Sequence, residues 1–211
     1  LVERIRSLLD QGAGRVLAVT FTVKAAREIR ERLSDERAEV STFHALAARI
    51  LRDCGVRFEI ADEDLLVRTA GLWGIPEPGP FVDDLVLRLG TGRPLDQDQA
   101  FLLEALQAEG CLTYEGMISE AARLISQGRF TPDWEHVMVD EFQDSNPLQY
   151  EFLKLIAPGE GSLMVIGDPD QAIYGFRGSD PSFFRRFHDD YPDAVALPLA
   201  QNFRSHPAIV R

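Results

Sequence analysis

Two short apolar runs in this chain end in side chains that can do chemistry. His136-Val-Met-Val139 runs into Asp140-Glu141-Phe142-Gln143-Asp144, and Leu163-Met-Val-Ile166 runs into Gly167-Asp168-Pro169-Asp170-Gln171. Adjacent acids at the end of a buried strand can divide two tasks. One carboxylate holds a divalent cation, usually through its waters, and the other orients or deprotonates an attacking water. Gln171, past the second run, carries a neutral amide that can donate to a phosphate oxygen and register whether a terminal phosphate is present. Tyr174, Phe176 and Arg177 follow closely, offering flat rings for base stacking and a cation for a phosphate backbone. Read singly, the acids could be a solvated strand end, the rings core aromatics and the arginine a surface ion-pair partner.

These groups must be carried by an α/β framework, because each run is short, apolar and suited to a strand buried on both faces. The same pattern recurs upstream. Val2, Ile5, Leu8 and Leu9 have helical spacing, and Gln11-Gly-Ala-Gly14 breaks that helix; Arg15–Phe21 reads as a strand, and Thr22 caps a helix over 23–33. A short strand from Val40 passes through Ser41-Thr42 to a helix ending near Gly55. Strand, capped turn and helix in repetition predict a parallel sheet. From about Arg57 the rhythm is lost among Pro76, Pro78, Pro80, Gly90, Gly92 and Pro94. Helices are predicted over Glu63–Leu72, Phe81–Leu89, Gln97–Glu109 and Tyr114–Ile125, and no strand. Beyond Asp144 the pattern predicts a helix over Leu148–Ile156, the strand Leu163–Ile166, a helix near Pro181–Phe187 and a last strand over Val195–Leu199. The expected organisation is therefore residues 1–55 and 131–211 as two parts of one sheet-bearing domain, with 56–130 as a helical insertion.

The net charge of −12 over 211 residues argues against nucleic-acid binding by the chain as a whole. Its distribution softens the objection: residues 1–55 carry ten Lys/Arg against eight Asp/Glu, whereas 56–133 carry six against fourteen and 134–211 six against twelve. A local track for a phosphate backbone thus remains open in the N-terminal part. Cys54 and Cys111 are the only cysteines and lack metal-type spacing, so reduced thiols are expected. No signal peptide or bilayer-length apolar run is visible, which makes the cytoplasm the expected compartment and gives no reason to expect a membrane partner.

Five blocks together carry a resemblance: Thr20-Phe-Thr-Val-Lys24-Ala-Ala26, Ser41-Thr-Phe-His44, Asp140-Glu-Phe-Gln-Asp144, Gly167-Asp-Pro-Asp-Gln171-Ala-Ile-Tyr174 and Gln201-Asn-Phe-Arg204-Ser205. In this order the chain resembles the UvrD/Rep-type superfamily 1 DNA helicases, over the first RecA-like motor domain. The resemblance implies a RecA-like P-loop NTPase sheet with a helical insertion subdomain, ATP and Mg²⁺ as ligands, and single-stranded DNA or a single-strand/duplex junction as partner. Residue by residue, Asp140 resembles the Mg²⁺ ligand, Glu141 the general base, Gln171 the γ-phosphate sensor and Arg204 the arginine that stabilises charge on the transferred phosphoryl group. Phe21, Lys24, Thr42 and His44 match positions that touch single-stranded DNA, and Tyr174 and Phe176 the segment that stacks on bases. Outside the family pattern, His44 reads as a capping or packing residue and Arg204 as a surface arginine. Gly175 stands where the family usually has a basic residue and Phe176 where tryptophan is frequent, which implies weaker stacking.

The sequence has no Gly-x-x-x-x-Gly-Lys-Ser/Thr, and its two lysines, Lys24 and Lys154, follow Val23 and Leu153. Gly12-Ala-Gly14 precedes a strand and lacks the lysine, so it reads as an ordinary turn. The family order places the phosphate-binding loop just before the helix that includes residues 1–9, and a second motor domain after the arginine motif. The expectation is a piece of a 3′–5′ DNA helicase or translocase acting in repair or recombination, with no appreciable ATP hydrolysis by the 211 residues alone. A non-catalytic DNA- or protein-binding relative and the motor part of a helicase-nuclease are the alternatives. Oligomeric state is left open.

Overall fold

The computed structural model describes residues 1–157, 162–171, 183–199 and 201. Four strands, β1 (Val16–Val19), β2 (Ala38–Ser41), β5 (His136–Val139) and β6 (Ser162–Val165), form a parallel sheet in the order β2-β1-β5-β6. The helices α1 (Val2–Asp10), α2 (Val23–Leu33), α3 (Phe43–Asp53), α7 (Tyr114–Ser126), α8 (Pro147–Ile156) and α9 (Phe183–Asp190) contribute residues to the apolar clusters on the sheet's two faces. Alternation along the strands divides the core. Val16, Ala18 and Met138 face α1 and α2, with Ile5, Leu8, Leu9, Ala26 and Ile29, while Leu17, Val19, Val137 and Val139 face the cluster built from α3, α7 and α8. Apolar content on both faces is what a parallel sheet requires, and it accounts for the continuous apolar runs.

The sheet register positions the chemistry. Val19, Ser41, Val139 and Val165 lie in one row, so Thr20, Thr42, Asp140 and Ile166 emerge together at the carboxyl edge. Backbone bonds continue the ladder past the strand ends: Asp140 donates to Val19 at 2.9 Å, Ile166 to Val139 at 2.8 Å and Phe142 to Ile166 at 2.9 Å. The order reverses at β1, with β2 on one side and β5 on the other. Such a switch point opens the crevice where α/β sheets bind ligands.

The excursion between the sheet's two parts has its own apolar cluster, formed by Leu66, Ala70, Val82, Leu85, Leu102 and Leu106 from α4 (Glu63–Leu72), α5 (Pro78–Thr91) and α6 (Gln97–Ala108), with Ala61 just before α4. The expectation of no strand there is corrected. β3 (Glu59–Ile60) and β4 (Cys111–Leu112) pair in parallel where the excursion leaves and returns. Two-residue strands have no periodicity to read, and this pair exists because the two ends of the excursion lie side by side. The helix predicted from Phe81 begins at Pro78, since prolines are tolerated in a first turn, and continues through buried Gly90 to Thr91, ending at Gly92 with φ +70°. α7 packs on α3 and α8, and its Met117, Ile118, Ala121 and Leu124 join the sheet's core.

The last predicted strand is also corrected. Val195–Leu199 forms none, and Val195, Leu197 and Leu199 are 80%, 77% and 92% exposed. Alternating apolar residues make a strand only beside a hydrogen-bonding neighbour, and among the described residues this segment pairs with none. β1 is shorter than the predicted Arg15–Phe21, because Thr20 and Phe21 belong to the turn into α2.

Candidate functional site

Asp140 follows the last residue of β5 and is half-buried. Burial, and next the charge of Glu141, push its carboxyl above the ordinary carboxylate range. Asp144 is raised for the same two reasons. Glu141 itself is exposed and takes a left-handed backbone, φ +53° and ψ +41°, which an L-residue with a side chain adopts only at a cost. The chain then turns tightly through Phe142–Asp144, with Phe142 fully buried against Tyr150, Phe184 and Phe187. This aromatic packing fixes the turn, so the acids before it are held on a rigid base.

The two strand ends are joined by a side chain that sequence reasoning left without a role. Gln143 is 2% exposed. Its Nε2 donates to the Glu141 carboxylate at 2.7 Å, and its Oε1 accepts from the Asp168 backbone N–H at 3.1 Å. Asp168 in turn accepts from the Asp170 N–H at 3.0 Å and from Gln171 Nε2 at 2.7 Å. Glu141, Gln143, Asp168 and Gln171 thus form one hydrogen-bonded series across the ends of β5 and β6. The available signal was a single amide in an otherwise acidic run, flanked by a buried phenylalanine.

The donor set suits a hard cation such as Mg²⁺. Asp140, Glu141 and Asp144 offer only oxygens, their mutual repulsion calls for a counter-charge, and the buried Asp144 Oδ1 and Thr20 Oγ1 have no hydrogen-bond partner. Among the described residues no group of three or more His, Cys, Asp or Glu side chains could hold a metal by itself.

At the ends of β1 and β2, Phe21 is half-buried and Lys24 exposed in the first turn of α2. The Thr42 hydroxyl caps α3 by accepting from the Ala45 N–H at 3.3 Å. His44, one residue into α3, is half-buried with its ring edge-on to Tyr114 at 5.4 Å, and burial holds its pKa below the usual value. Tyr174, Phe176, Arg177 and Arg204 lie outside the described residues. Gly12-Ala-Gly14 is a turn, with Gly12 at φ +93° and the Gly14 N–H donated to the Glu135 carboxylate at 2.8 Å, an arrangement that repels phosphate.

Comparison with known proteins bears on this edge. The family model described as the UvrD/REP helicase N-terminal domain matches residues 1–72 and 95–192. The chain is 35% identical to the ATP-dependent DNA helicase PcrA of Leuconostoc citreum, aligned over 90% of this chain and 31% of that protein. It is 32% identical to DNA helicase II of Escherichia coli, over 90% of this chain and 32% of that protein, and 30% identical to the putative ATP-dependent DNA helicase YjcD of Bacillus subtilis, over 92% and 31%. The chain therefore spans about a third of the length of these relatives. With a match that covers most of the sheet and both strand ends, the chain belongs to the UvrD/REP helicase family, within its N-terminal domain.

Proposed function

We propose that this chain supplies the hydrolytic edge and part of the DNA track of an ATP-dependent 3′–5′ DNA helicase or translocase that works in repair or recombination. The observation that carries the proposal is the convergence at one sheet edge of Asp140, at the end of β5, with Glu141, Asp168 and Gln171, which Gln143 joins into one hydrogen-bonded series. Residues 1–55 and 131–211 then form the motor half and 56–130 the insertion, with α7 as the stretch of the insertion that packs on the motor core.

In this reading Glu141 accepts the proton of the attacking water, its carboxylate aimed by Gln143. Asp140 would hold a divalent cation, which would supply positive charge to screen the phosphates. Gln171 releases Asp168 to meet the terminal phosphate, and Arg204 stabilises the transferred group. Phe21, Lys24 and His44 line the start of the α2 and α3 helices, whose N-terminal amides favour a phosphate backbone; Tyr174, Phe176 and Arg177 supply stacking and a cation. The excess of basic over acidic residues in 1–55 supports this path.

The test is made in the full-length protein that carries these residues. Glu141→Gln should reduce DNA-stimulated ATP hydrolysis by about 10²-fold or more while ATP and single-stranded DNA still bind. Hydrolysis at the unmodified rate would remove Glu141 from the mechanism.

A further inference from the structure

We infer that Gln143 is a positioning residue for hydrolysis, a bridge that aims the Glu141 carboxylate from the Gly167-Asp168 turn. This rests on the reading of Glu141 as the base. The chemistry of the bridge is specific to an amide: one end must donate to a carboxylate and the other must accept from a backbone N–H, and the two bonds are 2.7 and 3.1 Å long. Turned over, the same amide would set its oxygen against Glu141 and its N–H against the Asp168 N–H. The orientation is therefore dictated by the partners.

Glu141 needs such a guide. It lies past the end of β5 in a left-handed backbone, so neither a strand nor a helix directs its side chain, and the carboxylate is exposed. Gln143 is buried, and its Oε1 is closely packed against the Gly167 turn. A methyl group on Gly167 would collide with Gln143 Oε1 and would approach Phe184 Cζ to 2.9 Å and the Phe142 amide nitrogen to 3.0 Å. The bridge also extends toward the proposed phosphate sensor, because Asp168 accepts from Gln171 Nε2. A shift of the Asp168 turn when Gln171 leaves is therefore transmitted through one side chain to the carboxylate that handles water.

Gln143→Met separates the bridge from the packing, since methionine keeps the length and volume but neither bond. In the full-length protein the variant should lower kcat for DNA-stimulated ATP hydrolysis by about tenfold or more, with KM for ATP changed by less than about twofold. In the Glu141→Gln background the same substitution should add no further loss, because a residue that acts through Glu141 has nothing left to aim. Hydrogen exchange in the 211-residue chain gives a readout apart from activity: the Asp168 amide should exchange faster in Gln143→Met while β5 and α8 amides keep their protection.

A wild-type kcat alongside a faster Asp168 amide would overturn the positioning role, as would an additive loss in the double variant. Full activity of Glu141→Gln alone would instead overturn the hydrolytic reading, and with it the catalytic part of the bridge. The activity of Glu141→Gln distinguishes the two failures, and the Asp168 exchange result shows in either case whether the bridge itself was broken.

Discussion

Glu141 pairs a proposed chemical role with a backbone that resists its side chain, and the strain can be measured without any substrate. Its φ of +53° and ψ of +41° lie in the left-handed region, where a Cβ costs about 1–2 kcal/mol. Comparing Glu141→Ala with Glu141→Gly isolates that term, because both variants lose the bond from Gln143. Glycine removes the Cβ penalty but gives up about 0.5–1 kcal/mol through the greater freedom of its unfolded chain. The net expectation is that Glu141→Gly is more stable than Glu141→Ala by about 1 kcal/mol. Urea unfolding of the 211-residue chain followed by circular dichroism, with equal m-values for the two variants, measures the difference. In thermal unfolding it corresponds to about 2–4 °C. If the alanine variant is as stable as the glycine variant, or more so, the chain relaxes at this position and no strain is held there.

Gly167→Ala should destabilise the chain by about 1–3 kcal/mol in urea unfolding, because one obstacle to its methyl group is the backbone nitrogen of Phe142 and not only movable side chains. A change below about 0.5 kcal/mol would mean that the strand ends are not closely packed. His44, whose pKa is held down by burial, makes stability depend on pH with a definite sign. Below about pH 6.5 the unfolded chain binds a proton there that the native chain resists, so the contribution is fully present above that value and is lost as pH falls toward the native pKa. His44→Gln should therefore flatten the slope of stability between neutral pH and about pH 5.5 relative to the unmodified chain; parallel slopes in the two proteins would contradict the burial argument.

The parallel sheet was legible because its signals are local. Thr22 and Thr42 stand where helices begin, and each side chain accepts from the backbone N–H three residues on. The acids at Asp140-Glu141 were legible for a similar reason, since they interrupt an apolar run. What escaped depends on neighbours that a single segment does not reveal. Glu59–Ile60 is a strand only because Cys111–Leu112 returns beside it, and Val195–Leu199, with better strand composition, is not one because no described segment pairs with it. Gln143 escaped as a link for the same reason: its two partners are two residues and twenty-five residues away in sequence, and only the register of β5 with β6 brings them together.

The distribution of unfavourable terms is itself an argument about function. Six helices open on a side-chain cap, at Thr22, Thr42, Asp62, Asp96, Thr113 and Asn146, and the apolar residues of each strand meet the face they are built for. Against that local agreement, one edge of the sheet gathers a left-handed glutamate, two carboxyls whose charged forms burial disfavours, and buried Thr20 and Asp144 oxygens without partners. None of these features helps the chain fold, and each would be relieved by an ordinary substitution. Left-handed Ser34 and Glu77 lie at helix ends elsewhere, so what sets this edge apart is the combination where β1, β5 and β6 end. Strain, repelling carboxyls and unpaired oxygens together fit the proposed site, and a cation with its waters would answer the surplus charge and the unpaired oxygens at once.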